Sequence, residues 1–491
     1  MDKQKKIDDK LNIFLKILFI ASCLIFAVPS ICYYLEMGTI LEFDRYYQFL
    51  LNNTNIKIQT VWYLVILSII TITYYYIIKK RNNIFKDFKS IMIFVAIVSL
   101  IFVIVIPFIS SDIFYYLGIG RLDEEYGQNP YYVTIKQFVE DTNNSKYLTQ
   151  DTVLKQGYLN VWSDSTVVYG PIWTLICRIV ATMSFGNIDI GLAIFKLVNV
   201  LVHLCNCYLL YKTSNKKIFS LLYGINPFIL IEGIAHVHND IFVILFTLLA
   251  FYYLLKKKNL IVSIIFIALA TAIKYFTILL LPFIIIYYFR EEKTSKRLVQ
   301  CIKYGLVFLG VLLGCYLIYI QDLSVFNGLI VQNEKLAKGI YIVIRDYFND
   351  IPNIIENTKT IFLGSFVIIY FFACVIILNK KEIKFSKEIR TANYFIIAFL
   401  FLLITNFQPW YIMWLFPCLI WQKADVIKVT IGMSILSQFA NSIFLMYEEN
   451  WHYGTPFIFI LIVGTLAIYI FNQNIRKERI KQRYLRREKI G

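Results

Sequence analysis

The chain is poor in charge. Only 16% of its 491 residues are Asp, Glu, Lys or Arg, while 58% are apolar and the mean hydropathy is +0.63. No soluble domain of this size needs so much apolar surface, so a soluble globular protein is excluded and a polytopic membrane protein is indicated. A disulfide framework is missing as well. The nine cysteines (Cys23, Cys32, Cys177, Cys205, Cys207, Cys301, Cys315, Cys374 and Cys418) lie in or against apolar runs, none in a long polar loop. No Gly-rich phosphate loop, HExxH or GxSxG occurs, which removes the usual nucleotide, zinc-protease and serine-hydrolase readings. Internal repeats and low-complexity linkers are also lacking. The first apolar run, Leu11 to Leu35, is too long for a signal-peptide core and has no cleavage site, so it reads as a retained helix.

What is present is basic charge in clusters. The net charge is +17, which in a membrane protein reports cytoplasmic loops rather than a nucleic-acid surface. Candidate spans are 11–35, 59–78, 90–109, 188–211, 218–235, 240–255, 260–273, 275–289, 301–320, 360–378, 391–405, 412–422, 426–446 and 455–472. With these spans every basic cluster falls on one side, taken as the cytoplasm: the N-terminus, Lys79 to Arg81, Lys216-Lys217, Lys256 to Lys258, Arg290 to Arg297, Lys380 to Arg390 and Arg476 to Lys489. The assignment requires that 168–183 does not cross but lies on or dips into the outer face. It predicts an all-α polytopic transmembrane helical bundle of about 12–14 spans, with long outer loops at 110–167 and 321–359 ordered by short helices. The organisation expected is an N-terminal helix pair (1–89), a central module (90–420), and C-terminal helices with a basic cytoplasmic tail (421–491). Abundant Ile, Lys, Asn and Tyr point to an AT-rich bacterial genome, hence a multi-pass protein of a bacterial plasma membrane.

The charge count then collects the unusual polar motifs on the outer side: SSD (110–112), GRLDEEYGQNPYY (120–132), VYGPIW (168–173), HVHND (236–240), Lys274, QPWYIMW (408–414) and WHYGTP (451–456). Ionisable groups inside spans cost about 2.5–3.5 kcal/mol each and mark function. One well-placed carboxylate, scattered cations and many aromatics facing outward beside lipid suit a lipid-linked sugar phosphate. Glycosyl transfer from such a donor needs one base for the acceptor hydroxyl, because the phosphate leaves as an anion without a proton. It also needs a cation to hold that phosphate. Asp112, where an apolar run meets water, has the position of the base. Its alternative role is the cap of the helix that follows. Lys274, between two short spans, either snorkels to the outer face or binds the phosphate.

Taken in order, SSDIFYYLGIGR, GQNPYY, VYGPIW, HxHND, ATAIKYFTILLLPF and QPWYIMWLFP resemble the GT-C superfamily of integral-membrane glycosyltransferases, over roughly residues 90–420. The nearest resemblance is to polyprenol-phosphate-mannose-dependent mannosyltransferases. It implies Asp112 as the general base, mannose as the hexose, a polyprenyl-phosphate sugar as donor and a glycan or lipid as acceptor at the extracytoplasmic face. Inversion would follow from a single displacement. The two spans preceding the Asp112 loop depart from the family pattern. No metal or other cofactor is carried over, and a divalent ion is left open. Donor-phosphate contacts are assigned to Lys274 and Arg121, the latter with ion pairing to Asp123 or Glu124 as its alternative. Substrate contacts are assigned to Tyr169, His236, His238, Asp240, Gln408 and Trp410. His236 and His238 are expected to diverge on a helix and have no recognised zinc spacing. The competing functions are a transporter or flippase of lipid-linked saccharides, which predicts polar residues reaching both faces and a repeat, and a ligase or polymerase using a lipid-pyrophosphate oligosaccharide.

Overall fold

The computed structural model describes residues 2–38, 56–141, 144–336, 338–446 and 454–488. Among them every regular element is a helix and no strand occurs. Among the described residues six helices are long and apolar enough to cross a bilayer: Asp9–Met37, Ile58–Ile84, Ile188–Ser214, Thr294–Tyr316, Ile354–Leu378 and Pro456–Asn474. A seventh span is possible if Lys217–Gly224 and Ile229–Ala235, bent by 65°, count as one. The chain is thus an all-α polytopic bundle. Several of the shorter expected spans are shorter or less regular than a simple crossing. Leu260–Thr271 has 12 residues, and 412–422 falls in a 3-10 helix, Pro409–Trp421, with Pro417 inside.

Local chemistry sets the helix starts. Asp87 caps Phe88–Ile104 in a reciprocal box: Ser90 N donates to Asp87 Oδ1 at 2.8 Å and Asp87 N to Ser90 Oγ at 3.4 Å. Asn187 and Asn259 accept from the backbone of Ile190 and Val262, opening Ile188–Ser214 and Leu260–Thr271. The break at Asn226 is satisfied internally: its Oδ1 accepts from Phe228 N at 3.0 Å and its Nδ2 donates to Ser434 Oγ at 3.2 Å. Broken helices at membrane depth need such partners, since lipid supplies none.

Pro171 occupies the first turn of Pro171–Ser184, where its missing N–H is no loss. This helix of 14 residues reaches about 21 Å, short of the ~30 Å hydrocarbon core. It packs across Asp112–Glu124 so closely that a Cβ on Gly120 would lie 2.2 Å from Cys177 O.

Both long loops carry helices of their own: Ile135–Glu140, Ser145–Thr149 and Thr152–Tyr158 in the first, Leu323–Phe326, Asn327–Glu334 and Ile340–Phe348 in the second. They are tied together. Asn129 Nδ2 donates to Tyr319 O at 2.7 Å, and Gln321 N donates to the Tyr132 hydroxyl at 2.8 Å. Thr294–Tyr316 and Ile354–Leu378 stand at the periphery with exposed apolar faces, including Leu306, Leu313, Ile361, Val367 and Phe371. In a chain this apolar those faces suit lipid contact.

Candidate active site

Asp112 opens the helix Asp112–Glu124, with Ser111 rather than Asp112 at the N-cap. Its carboxylate is buried and is held by side chains. Trp162 Nε1 donates to Oδ1 at 3.1 Å, and the Tyr116 hydroxyl donates to Oδ2 at 3.3 Å. His238 Nδ1 lies 3.7 Å from Oδ2. Tyr116 is one helical turn from Asp112 and so faces the same way. Trp162 comes from the far end of the outer loop, anchored where Asn160 Nδ2 donates to Ser111 O at 2.8 Å.

Lys274 lies three residues beyond the short helix Leu260–Thr271, in the N-cap position of a 3-10 turn, Tyr275–Leu280. It is 8% exposed, and its ammonium donates to Asp240 Oδ1 at 2.8 Å. The Trp414 indole N–H donates to the same oxygen. The ammonium stands 4.4 Å from the Tyr411 ring centroid, 5.3 Å from Trp414 and 6.0 Å from Tyr169, a partial aromatic cage. Asp112 is close enough to act on it electrostatically. Gly170 makes this meeting possible. Its N–H donates to Ile273 O at 3.2 Å, and a Cβ there would sit 2.2 Å from Ala272 O. Tyr169 is thereby pressed against the turn that carries Lys274.

His236 and His238 do not diverge, because they are not on a regular helix. They follow a π-helix, Ile229–Ala235, and the residue between them, Val237, has φ 59°. A β-branched residue is rare in that left-handed region. The turn brings both imidazoles to Glu232: His236 Nδ1 is 2.9 Å and His238 Nε2 3.2 Å from Glu232 Oε2. Gln438 Nε2 donates to Glu232 Oε1. Trp410 stacks on His238 at 3.8 Å between centroids and 14° between planes.

Two adjoining cavities lie beside these groups, and Glu232, His236, His238 and Asp240 line neither of them. One, of about 40 Å³, has Asp112, Trp162, Gln408 and Trp410 in its wall. The other, about 240 Å³, holds Lys274 among Phe276, Leu329, Phe399, Leu403 and Ile404. Val168, Tyr169, Gln332, Asn406 and Tyr411 line both. A carboxylate and an ammonium therefore line neighbouring cavities that share a wall. Gln408 Nε2 donates to Asn406 Oδ1 at 2.8 Å across this wall.

Arg121 lies elsewhere. It sits about 13 Å along the helix from Asp112 and lines neither cavity. Its Nε donates to Asp151 Oδ2 at 2.6 Å, with Glu125 at 3.1 Å and Glu124 at 3.7 Å from Nη1. Burial works against its charge most strongly, but Asp151, Glu125 and Tyr126 together outweigh it and raise the guanidinium above its ordinary pKa. Asp123, the other partner expected for it, faces Arg178 at 3.5 Å instead.

The segments gathered by the charge count, SSD, VYGPIW, HVHND, Lys274 and QPWYIMW, thus meet in one place. WHYGTP falls largely outside the described residues. Several groups escaped the sequence reading. Glu232 had a signal, being a carboxylate inside an apolar stretch four residues before His236. Trp162 and Lys335 had none. Lys335 stands 4.6 Å from the Trp162 ring centroid and 3.3 Å from Ser165 Oγ, a cation brought in by the second outer loop.

No curated protein and no solved structure matches the chain. One family model does, over residues 19–290, beginning well before the region of resemblance at 90 and so taking in the N-terminal helices: the N-terminal domain of alpha-(1->6)-mannopyranosyltransferase. The match covers more than half of the chain. With a GT-C-type helical bundle already built from the sequence upward, the chain belongs to the alpha-(1->6)-mannopyranosyltransferase family, and is a membrane mannosyltransferase.

Proposed function

We propose that the protein transfers mannose from a polyprenyl-phosphate donor to an acceptor hydroxyl at the extracytoplasmic face, with Asp112 as general base. The observation that carries this reading is the pair of adjoining cavities, with Asp112 in the wall of one, Lys274 in the wall of the other, and Tyr169 and Tyr411 in both. Phe276, Leu329, Phe399, Leu403 and Ile404 around Lys274 suit a donor whose charged phosphate carries an isoprenoid tail.

In this mechanism Asp112 accepts the acceptor proton as the oxygen attacks the anomeric carbon. The bond from that carbon to the phosphate oxygen breaks, and the lipid phosphate departs as an anion. Lys274 offers its ammonium to the phosphate. One of its N–H groups is held by Asp240, and two remain. Charge developing on the leaving group in a water-poor site is stabilised strongly by such a fixed cation. Tyr169, Tyr411 and Trp410 present aromatic faces to a sugar ring, and Gln408 presents an amide. A single displacement inverts the anomeric centre, so a β-linked donor phosphate gives an α-linked mannoside.

The test is incubation of the purified protein with short-chain polyprenyl-phosphate-mannose and a panel of mannosyl acceptors, with the product anomer assigned by NMR. Transfer that Asp112→Asn abolishes, in a variant that elutes and unfolds like the wild type, supports the reading. Full turnover by Asp112→Asn removes Asp112 as base. Turnover only with lipid-pyrophosphate oligosaccharides replaces the donor.

A further inference from the structure

We propose that Glu232, His236 and His238 form a binding site for one divalent cation of the zinc class, set in the bundle behind Asp112. Each residue offers one ligand atom, and these atoms lie within 4.8 Å of one another. All three side chains are buried, at 0–1% exposure. Two neutral imidazoles and one carboxylate are the donors a borderline-soft dication takes, and three protein ligands leave a fourth position open.

The convergence is built by the fold. H-x-H on a regular helix sends its imidazoles apart. Here Val237 holds φ 59°, a conformation that a β-branched residue keeps only where its surroundings enforce it. Its effect is to turn the second imidazole onto the carboxylate oxygen already met by the first. The other oxygen of Glu232 is occupied from outside: Gln438 Nε2 donates to it and Asn441 Nδ2 lies at 3.5 Å. The Tyr63 hydroxyl in turn donates to Gln438 Oε1 at 3.1 Å. Helices near the two ends of the chain thus aim one carboxylate oxygen at the histidine pair. Trp410 fixes the plane of His238 by stacking. Its far nitrogen, Nδ1, faces Asp112 Oδ2 at 3.7 Å. A metal ligand whose other ring nitrogen faces a carboxylate is the arrangement that sets the tautomer of metal-bound histidines.

The donor set also selects the ion. With one carboxylate and two imidazoles, a hard ion such as Mg²⁺ or Ca²⁺ has too few oxygen donors. A cation held through imidazole nitrogens remains. Once bound at Nε2, it requires the His238 proton on Nδ1, where it points at Asp112 and steadies the carboxylate.

The site does not depend on the donor proposed above, and its test reads the metal directly. Full-length protein without a histidine tag is purified in detergent, stripped with a chelator, exposed to Zn²⁺ alone and desalted. The expected result is about one zinc per chain by mass spectrometry, retained against a weak competing chelator. Co²⁺ in its place should give visible d–d absorption. Glu232→Gln and His236→Asn should each lose the bound zinc, whereas Glu356→Gln, on an exposed helix end, should keep it. Wild-type protein that retains no zinc overturns the proposal, whether or not the variants fold. So does zinc retained equally by Glu232→Gln, which would place it on the cysteines. Mannosyl transfer is assayed separately, so loss of either property does not stand for the other.

Discussion

The indole N–H of Trp162 donates to Asp112 Oδ1 across 3.1 Å, fifty residues apart in the chain and at the two ends of one outer loop. The loop therefore closes on the carboxylate it follows. If Asp112 is the base, Trp162 positions it. Trp162→Phe keeps the ring and removes one hydrogen bond to a charged group, worth about 1.5–3 kcal/mol. The expected result is a drop in kcat of about 10–100-fold with KM nearly unchanged, measured by steady-state transfer. A change confined to KM would make Trp162 a substrate contact instead.

Lys274 and Asp240 allow stability and chemistry to be separated. Both are buried, and the ammonium donates to Asp240 Oδ1 at 2.8 Å. Lys274→Met leaves an unpaired buried carboxylate, which costs about 3–5 kcal/mol. The double variant Lys274→Met with Asp240→Asn removes both charges and should recover most of that loss in thermal unfolding. Transfer should stay absent in both. A double variant that regains turnover as well as stability would show the lysine to be structural.

Gly170 is the contact through which the Tyr169 loop reaches the Lys274 turn. A methyl at Gly170 would lie 2.2 Å from Ala272 O, a backbone atom that cannot step aside alone. Gly170→Ala is expected to lose about 1–3 kcal/mol of stability and to lower transfer, because Tyr169 moves with the loop. Gly305→Ala, in the Thr294–Tyr316 helix with nothing within 4 Å of its added carbon, should be neutral or up to about 1 kcal/mol stabilising. Thermal unfolding of the pair checks the contrast.

Helix content, membrane class and the gathering of polar motifs were legible because each rests on a rule that acts along the chain. Apolar length sets spans, and basic clusters sort the connections. Irregular backbone was not legible. The π-turn before His236, the left-handed Val237 and the 3-10 run Pro409–Trp421 are imposed by tertiary packing, so a helical wheel sent His236 and His238 apart when the fold brings them together. The reading of Arg121 as a phosphate ligand met a similar limit. Proximity in sequence suggested Asp123 or Glu124, while Asp151, thirty residues on, holds the guanidinium most closely. Only the outer loop's own helices put it there.

Asp123 predicts a pH dependence with an unusual sign. It is buried, the Tyr319 hydroxyl donates to its Oδ2 at 2.8 Å, and Arg178 lies at 3.5 Å. Burial raises its carboxyl above the ordinary range, against the opposing pull of Tyr319 and Arg178. The native state therefore keeps this proton to higher pH than the unfolded chain does. The resulting stabilisation is complete below the unfolded pKa of about 3.9 and is lost as pH rises through the folded value. Asp123→Asn imitates the protonated side chain and can still accept from Tyr319. It gives up an ion pair to a partly exposed arginine, which is worth about 0–1 kcal/mol. The variant should therefore unfold at a higher temperature than the wild type at pH 7.5, and the gap should narrow as pH falls toward 4. A lower unfolding temperature for Asp123→Asn at pH 7.5 would mean that Arg178 and Tyr319, not burial, govern this carboxylate.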